Sequence, residues 1–247
     1  MLMSKEVYLD KVGLVQRVKP RSDQGRIFVV GDLHGCYETF MEKLVLVGFD
    51  FEHDLVIAVG DLCDRSAGSL QCAALLEEPW FVSVKGNHED FCVMGSVSEE
   101  VARVHKDPRN GGAWFYELGE DQRREIAQKF YDLPLAIEVE YRGAIYGFTH
   151  ADMPFQNWED LYHIQDPQTD LHGRSVSDWL MWSRFGYDTP DKDTAPIKGV
   201  RALFHGHCPS FGKIEKRGNE LYVDFGECFG YDLCVIELNE ACEAFNL

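Results

Sequence analysis

Ile27-Phe28-Val29-Val30-Gly31-Asp32-Leu33-His34-Gly35 runs four apolar residues straight into a turn that carries a carboxylate and an imidazole. The pattern returns twice. Leu55–Val59 leads into Gly60-Asp61-Leu62-Cys63-Asp64-Arg65, and Phe81–Val84 leads into Gly86-Asn87-His88-Glu89. A short apolar run without alternation reads as a strand buried on both faces. Between the runs, Glu38–Val47 sets Phe40, Met41, Leu44 and Val47 on one helical face, and Ser69–Leu76 reads as a helix stopped before Pro79. Asp32, Asp61 and Asn87 are separated by 29 and 26 residues, close to the length of a strand–helix–strand unit. This β-α-β-α-β order predicts parallel strands with right-handed crossovers. All three polar motifs then emerge along one sheet edge.

Downstream the pattern changes. Residues 89–131 read as mostly helical, with one break at Asp107-Pro108-Arg109-Asn110-Gly111-Gly112. Strands are expected at Leu135–Glu140 and Ala144–Thr149, joined through Arg142-Gly143. Residues 152–200 are rich in Asp, Pro, Gln and Thr, with a helix at about Ser175–Trp182. A long irregular stretch of this kind in a compact domain is usually functional or mobile. Strands return at Arg201–His205, Glu220–Asp224 and Leu233–Leu238. Residues 1–25 lack a continuous apolar run and end in the linker-like Lys19-Pro20-Arg21-Ser22-Asp23. They read as an extension, a loosely docked arm outside the core.

With 247 residues the chain can bury a large core as one domain. Its 24 basic and 42 acidic residues give a net charge of −18, which argues against a nucleic-acid-binding surface, because phosphate backbones demand clustered Lys and Arg. No stretch approaches the roughly 20 apolar residues of a membrane span, and no secretory signal is apparent. The expectation is a cytoplasmic protein with no membrane partner. Its eight cysteines contain no Cys-x-x-Cys pair and read as free, mostly buried thiols.

The chemistry lies in the motifs. Asp32 and His34 are two apart, so on extended backbone they point to the same side. Asp61 follows the neighbouring strand and is placed to bridge two metals about 3.5–4 Å apart. Asn87 adds a neutral oxygen, and His150 and His207 close two later apolar runs. Any one of these alone reads as a helix cap or an ordinary histidine. Together, with glycines beside three of the motifs, they read as a metal site. A nitrogen ligand disfavours Ca²⁺ and Mg²⁺ and suits Mn²⁺, Fe or Zn²⁺.

Gly-Asp-x-His-Gly, Gly-Asp-x-x-Asp-Arg and Gly-Asn-His-Glu resemble the motifs of the calcineurin-like metallophosphoesterases. More narrowly they resemble the phosphoprotein phosphatase branch, nearest the phage-lambda-type and bacterial serine/threonine protein phosphatases. Asn110-Gly111-Gly112 with Trp114-Phe115, and His150-Ala151-Asp152 with Pro154-Phe155, fit the same group. The likeness runs from about Arg26 to Leu238. It implies an α/β fold, a sandwich of two mixed β-sheets flanked by helices, over residues 26–247. It also implies two divalent metal ions, with Mn²⁺ the expected metal. Asp32, His34 and Asp61 would hold the first ion; Asp61, Asn87, His150 and His207 would hold the second. Water activated by two dications would attack phosphorus directly. Arg65 and Arg184 would clamp phosphate oxygens, His88 would protonate the leaving alkoxide, and Asp64 would orient the His88 ring. The implied substrate is a phosphorylated protein or peptide, with phosphotyrosine also admissible.

The chain departs from the pattern in three places, of which Cys63, where an aliphatic residue is common, changes little as a small hydrophobe. Gly206-His207-Cys208 stands where Gly-His-Thr is usual, leaving His205 as a competing candidate. Asp224-Phe225-Gly226-Glu227 replaces Asp-Thr-Gly-Ala, and Glu227 would repel phosphate if it faced the site. Trp114, Phe115, Trp179 and Trp182 read as core. Three rival functions fit the residues less well. A cysteine-dependent phosphatase needs Cys-x5-Arg, and no cysteine here has Arg six positions on. A symmetrical dinucleoside tetraphosphate hydrolase tends to lack the Asp64-Arg65 pair and to carry Asp where Glu89 stands. A non-catalytic binding module would have no need of every ligand, His88 and both arginines.

Overall fold

A computed structural model describes residues 6–189 and 195–247. Two sheets lie face to face. The smaller has the order Val235–Glu237, Ile27–Val30, Leu55–Ala58, Phe81–Ser83, its last three strands parallel and its first antiparallel to them. The larger is mixed and has seven strands: Tyr8–Val12, Val15–Val18, Ala136–Tyr141, Ala144–Thr149, Ala202–His205, Glu220–Tyr222 and Glu215–Arg217, in that spatial order. This is the expected sandwich of two mixed sheets.

Side-chain alternation sorts the core into layers. Val29, Ile57 and Val82 from the small sheet meet Ile137, Val139, Phe148 and Phe204 from the large one. On the outer face of the small sheet, Phe28, Val30, Val56 and Phe81 pack against Phe40 and Leu44 of the helix Tyr37–Leu46 and against Ile126 and Phe130 of the helix Glu120–Tyr131. On the outer face of the large sheet, Val15, Ala136 and Leu203 meet Trp158, Leu161, Val176 and Leu180. Both faces of the central strands are therefore covered, as their unbroken apolar runs required.

Several elements differ from the sequence expectation. The first 25 residues are no detached arm within the described part of the chain. Val15–Val18 pairs in parallel with Ala136–Val139, and Tyr8–Val12 adds the edge strand beside it. The alternation of charged and apolar residues there is the period-2 signature of a half-buried strand, and it buries Leu14, Val15 and Val18. The helical stretch is four helices, Asn87–Gly95, Glu99–His105, Ala113–Glu117 and Glu120–Tyr131. The last expected strand is shorter, and Leu238 opens a helix, Leu238–Ala244, that the sequence reading missed. The Asp- and Pro-rich stretch is more ordered than its composition suggests. Trp158 sits fully buried in a 3-10 turn, Trp158–His163, and donates its indole N–H to Glu138 Oε2 at 2.7 Å. Residues 1–5 of the expected extension and 190–194 of the irregular stretch lie outside the described residues.

Candidate active site

The parallel strands Ile27–Val30, Leu55–Ala58 and Phe81–Ser83 end side by side, so the three motifs face one another across adjacent turns. The turns are tight. His34, Asp61, Asp64, Arg65 and His207 all take positive φ, between 42° and 75°. Non-glycine residues rarely occupy that region, and its strain collects where surrounding structure enforces a functional geometry. Glu89 enforces it here. Its buried carboxylate accepts the backbone N–H groups of Asp61 at 2.9 Å, Leu62 at 2.8 Å and Gly86 at 2.8 Å. One acid in the third motif thus pins the second.

Two groups of ligand-type atoms share Asp61. His34, Asp61 and His88 form one, and Asp61, His150 and His207 form the other, with the donor atoms of each group within 4.8 Å of one another. Asp61 Oδ1 lies 3.3 Å from His150 Nε2, and Oδ2 lies 3.6 Å from His34 Nε2. Asn87 Oδ1 joins the second group, 2.9 Å from both His150 Nε2 and His207 Nδ1. Asp32 stands just outside. One of its oxygens accepts the His207 backbone N–H at 3.0 Å, while Oδ1 is buried without a partner. His205, the competing candidate, points away, its ring held by Thr149 Oγ1 and Glu220 Oε2.

The imidazoles are oriented from behind. His34 Nδ1 donates to the Cys63 carbonyl at 3.1 Å, and His150 Nδ1 donates to the Val59 carbonyl at 2.7 Å. This turns each Nε2 toward the centre, the outer-shell arrangement that metal-binding histidines use. Burial, then the neighbouring His88 and Arg65 charges, holds the His34 ring well below its usual pKa. Burial and His150 push His207 down to about 3. Both are therefore neutral at physiological pH, the form that binds metal.

The carboxylates tell the same story from the other side. Burial, then Asp224 and Asp61, raises Asp32 well above the carboxylate range. Asp224 is pushed up to about 6 by burial and by Asp61. Asp61 stays well below the range despite its burial, because His150, His88 and His34 surround it. Crowded acids, an orphaned Asp32 oxygen and inward ring nitrogens are what a divalent cation would relieve. The donor set fits two such ions, and Asp32, His34, Asp61, Asn87, His150 and His207 are the residues that would hold them.

Around this centre lie groups that could act on a phosphate. Arg65 lies with Nη1 2.7 Å from His34 Nε2 and Nη2 3.3 Å from His88 Nε2. Its guanidinium also meets Cys228 Sγ at 3.3 Å and the Phe229 ring at 5.3 Å. Arg184 is 46% exposed, with Nε 3.6 Å from Asp188, and its charge acts on His207. The buried Asp152, from the His150 strand end, fixes the turn that carries Arg184 by accepting the Gly186 N–H at 2.6 Å and the Ser183 hydroxyl at 3.3 Å.

His88 Nδ1 lies 2.7 Å from Asp64 Oδ2, the pairing expected from sequence. Three further contacts of Asp64 were missed: His105 Nε2 at 2.7 Å, Trp114 Nε1 at 2.7 Å, and its own backbone N–H donating to Ser69 Oγ at 2.8 Å. Trp114 is thus half-buried and engaged with the site, whereas Phe115 is core as expected. Trp179 and Trp182 are only half-buried, and Trp182 meets Phe91 edge-on. Glu227 is turned away from the arginines. It accepts from Cys36 Sγ and from Thr39 Oγ1, beside a cavity of about 410 Å³. All eight cysteines are unpaired thiols.

Comparison with known proteins agrees with this fold. The family model described as calcineurin-like phosphoesterase matches residues 25–236. Serine/threonine-protein phosphatase 1 of Salmonella typhimurium is 30% identical over 241 residues, covering 96% of this chain and 100% of that protein. The symmetrical bis(5'-nucleosyl)-tetraphosphatase of Chromohalobacter salexigens is 26% identical over 181 residues, covering 71% of this chain and 62% of that protein. Among solved structures, the cold-active protein-tyrosine phosphatase of a Shewanella species superposes with a TM-score of 0.60 at 13% identity, over 96% of this chain and 81% of that one, a likeness of fold alone.

Proposed function

Because the chain belongs to the calcineurin-like phosphoesterase family, we propose that it is a metal-dependent serine/threonine protein phosphatase, hydrolysing phosphomonoesters of proteins or peptides without a phosphoenzyme intermediate. The observation that carries the reading is the placement of Arg65 and His88. Arg65 reaches toward both His34 and His88, at the mouth of the two groups that share Asp61. Two divalent ions held by those groups would supply Lewis acidity and an activated water near neutral pH.

The chain's own residues do the rest. Arg65 offers planar, paired N–H donors that would hold two phosphate oxygens and orient the phosphoryl group. Arg184 adds charge from the exposed side. His88 presents Nε2 toward the leaving oxygen, while its Nδ1–H is held by Asp64. That hydrogen bond fixes the tautomer and stabilises the charged ring, so His88 can deliver a proton as the ester bond breaks. Burial alone would raise Asp64, but hydrogen bonds from His105 and His88 outweigh it and hold the carboxyl down to about 2. Asp64 is therefore charged throughout the working range.

Mn²⁺ is the metal we assign, from the mixed oxygen and nitrogen donors. No helix among the described residues is long and apolar enough to cross a membrane. We assign the protein to the cytoplasm, where its unpaired thiols remain reduced.

The test is phosphate release by chelator-stripped protein, with and without Mn²⁺, from a phosphoserine peptide, a phosphotyrosine peptide and a dinucleoside tetraphosphate. Release from the peptides that needs Mn²⁺ and is lost in His88→Asn supports the reading. Cleavage of the dinucleotide alone would move the function to nucleotide hydrolysis at the same centre. Bound metal with no turnover of any substrate would make the fold a binding module.

A further inference from the structure

His105 lies outside every motif that marks the site, yet it is fully buried against the site's acid–base pair. It ends the helix Glu99–His105, 41 residues from Asp64, and its Nε2 meets the same carboxylate oxygen, Oδ2, that holds His88. Both distances are 2.7 Å. An ionised carboxylate can only accept, so both imidazole nitrogens facing it carry hydrogen. His105 is thereby fixed as the Nε2–H tautomer, and its Nδ1, 3.0 Å from Tyr116 Oη, accepts from that hydroxyl. The result is a one-way chain: Tyr116 O–H to His105, His105 N–H to Asp64, with His88 N–H arriving at the same oxygen from the other side. Trp114 completes the hold on the second oxygen at 2.7 Å.

The backbone around His105 is shaped for this contact. Gly112 abuts the His105 ring, and a methyl group there would collide with Cδ2 and Nε2. Gly111 takes φ +78° and lies against the Arg65 backbone, where a side chain would strike N and Cα. Asn110 donates its amide to the Val104 carbonyl at 2.8 Å, closing the helix end just before His105. Phe91 then stacks on His105 at 5.3 Å and meets His88 edge-on at 5.7 Å, filling the space between the two rings. Asn110-Gly111-Gly112 thus braces Arg65 and His105 together.

We propose that His105, backed by Tyr116, is a positioning residue of this site, acting through Asp64 to hold the His88 ring on the line to the leaving oxygen. The inference rests on the phosphatase reading above. A buried histidine kept only for stability would lower activity on all esters alike. A positioning residue for the proton donor has a narrower signature, because an alkoxide needs protonation as it leaves and a nitrophenolate barely does.

The experiment compares kcat and KM of the Mn²⁺-loaded protein on a phosphoserine peptide and on p-nitrophenyl phosphate, for wild type, His105→Asn, Tyr116→Phe and His88→Asn. For His105→Asn, kcat on the peptide should fall about tenfold or more, with KM unchanged and the aryl ester within about threefold of wild type. Tyr116→Phe should shift the same ratio in the same direction by less, and it keeps the test open if His105→Asn does not fold. His88→Asn sets the full size of the effect. Equal losses on both esters, or no change in their ratio in either variant, would overturn the role of His105 while leaving the phosphatase reading intact. Wild type that cleaves neither ester would overturn the phosphatase reading itself, and this one with it.

Discussion

Arg65 and Arg184 fill the same role in the sequence reading, yet the two regions that carry them are built differently. Arg65 sits on a turn where φ is positive at Asp61, Asp64 and Arg65 itself. Glu89 accepts three backbone N–H groups around that turn's start, and Gly111 packs under the Arg65 backbone. The guanidinium lies directly against His34 and His88. Arg184 follows a short helix, Val176–Trp182, and among the described residues its ion partner is Asp188, on the surface. Asp152 fixes its backbone turn, but the side chain remains exposed. The lesson is one of preorganisation. Both arginines are exposed, so the difference lies in what holds them: a donor fixed against buried imidazoles before substrate arrives stabilises the transition state without reorganising, whereas one paired only with a surface carboxylate mainly attracts and steers.

Mutation should separate the two. Arg65→Ala should lower kcat on a phosphoserine peptide by about 10²–10³-fold, the usual cost of one preorganised donor. Arg184→Ala should cost about tenfold, chiefly in KM, and the deficit should shrink as salt is raised, since exposed charges are screened. Steady-state kinetics at two ionic strengths decides this. Similar kcat losses from both arginines would erase the distinction.

The brace behind Arg65 can be loosened without touching the arginine. Glu89→Gln removes a charge and replaces one of two acceptor oxygens with a donor, so at least one of the three buried N–H groups loses its partner. We expect a loss of about 2 kcal/mol in stability, seen as a fall of roughly 5 °C in the melting temperature. kcat should fall with little change in KM, because the Asp61 turn relaxes. A variant as stable and active as wild type would show that the strained turn holds itself.

A smaller effect concerns the charge beneath the clamp. Asp224 loses its proton near pH 6 in the folded protein and near pH 4 when unfolded. Between these values the folded state binds more protons, so metal-free protein should lose stability as pH rises from about 4 to 6. Asp64 has the opposite sign: its folded value of about 2 lies below the unfolded one, so its contribution is lost as pH falls from about 4 to 2. Calorimetry of the stripped protein should show both slopes, with added Mn²⁺ raising the melting temperature more at pH 7 than at pH 5. An equal rise at both pH values would mean that the carboxylates do not bind the metal.

The contrast also shows what the sequence could reveal. The three parallel strands and their motif turns were legible because strand length, glycine punctuation and polar residues recur within 60 residues, whereas the Asp64–His88 pair followed from the family resemblance of those motifs. His105 was not, because nothing local marks a histidine at the end of an amphipathic helix as the partner of a carboxylate 41 residues away. Trp114 looked like core because its apolar bulk hides a single N–H that decides its orientation. Glu89 served only as a motif letter, although its burial makes it the anchor of the neighbouring turn. The N-terminal strands escaped because they sit at and near the sheet edge and bury few side chains. The strained φ values at Asp61, Asp64 and Arg65 have no sequence signature, since residues without glycine's freedom are held there by tertiary contacts.

One carboxylate, Asp61, belongs to both groups of ligand-type side chains proposed to hold the ions. Equilibrium binding of Mn²⁺ to stripped wild-type protein and to Asp61→Asn, with circular dichroism to confirm folding, tests it most directly. Two ions per wild-type chain and fewer than one tightly bound ion in the variant is the expected result. A folded Asp61→Asn that still binds two ions with wild-type affinity would contradict it.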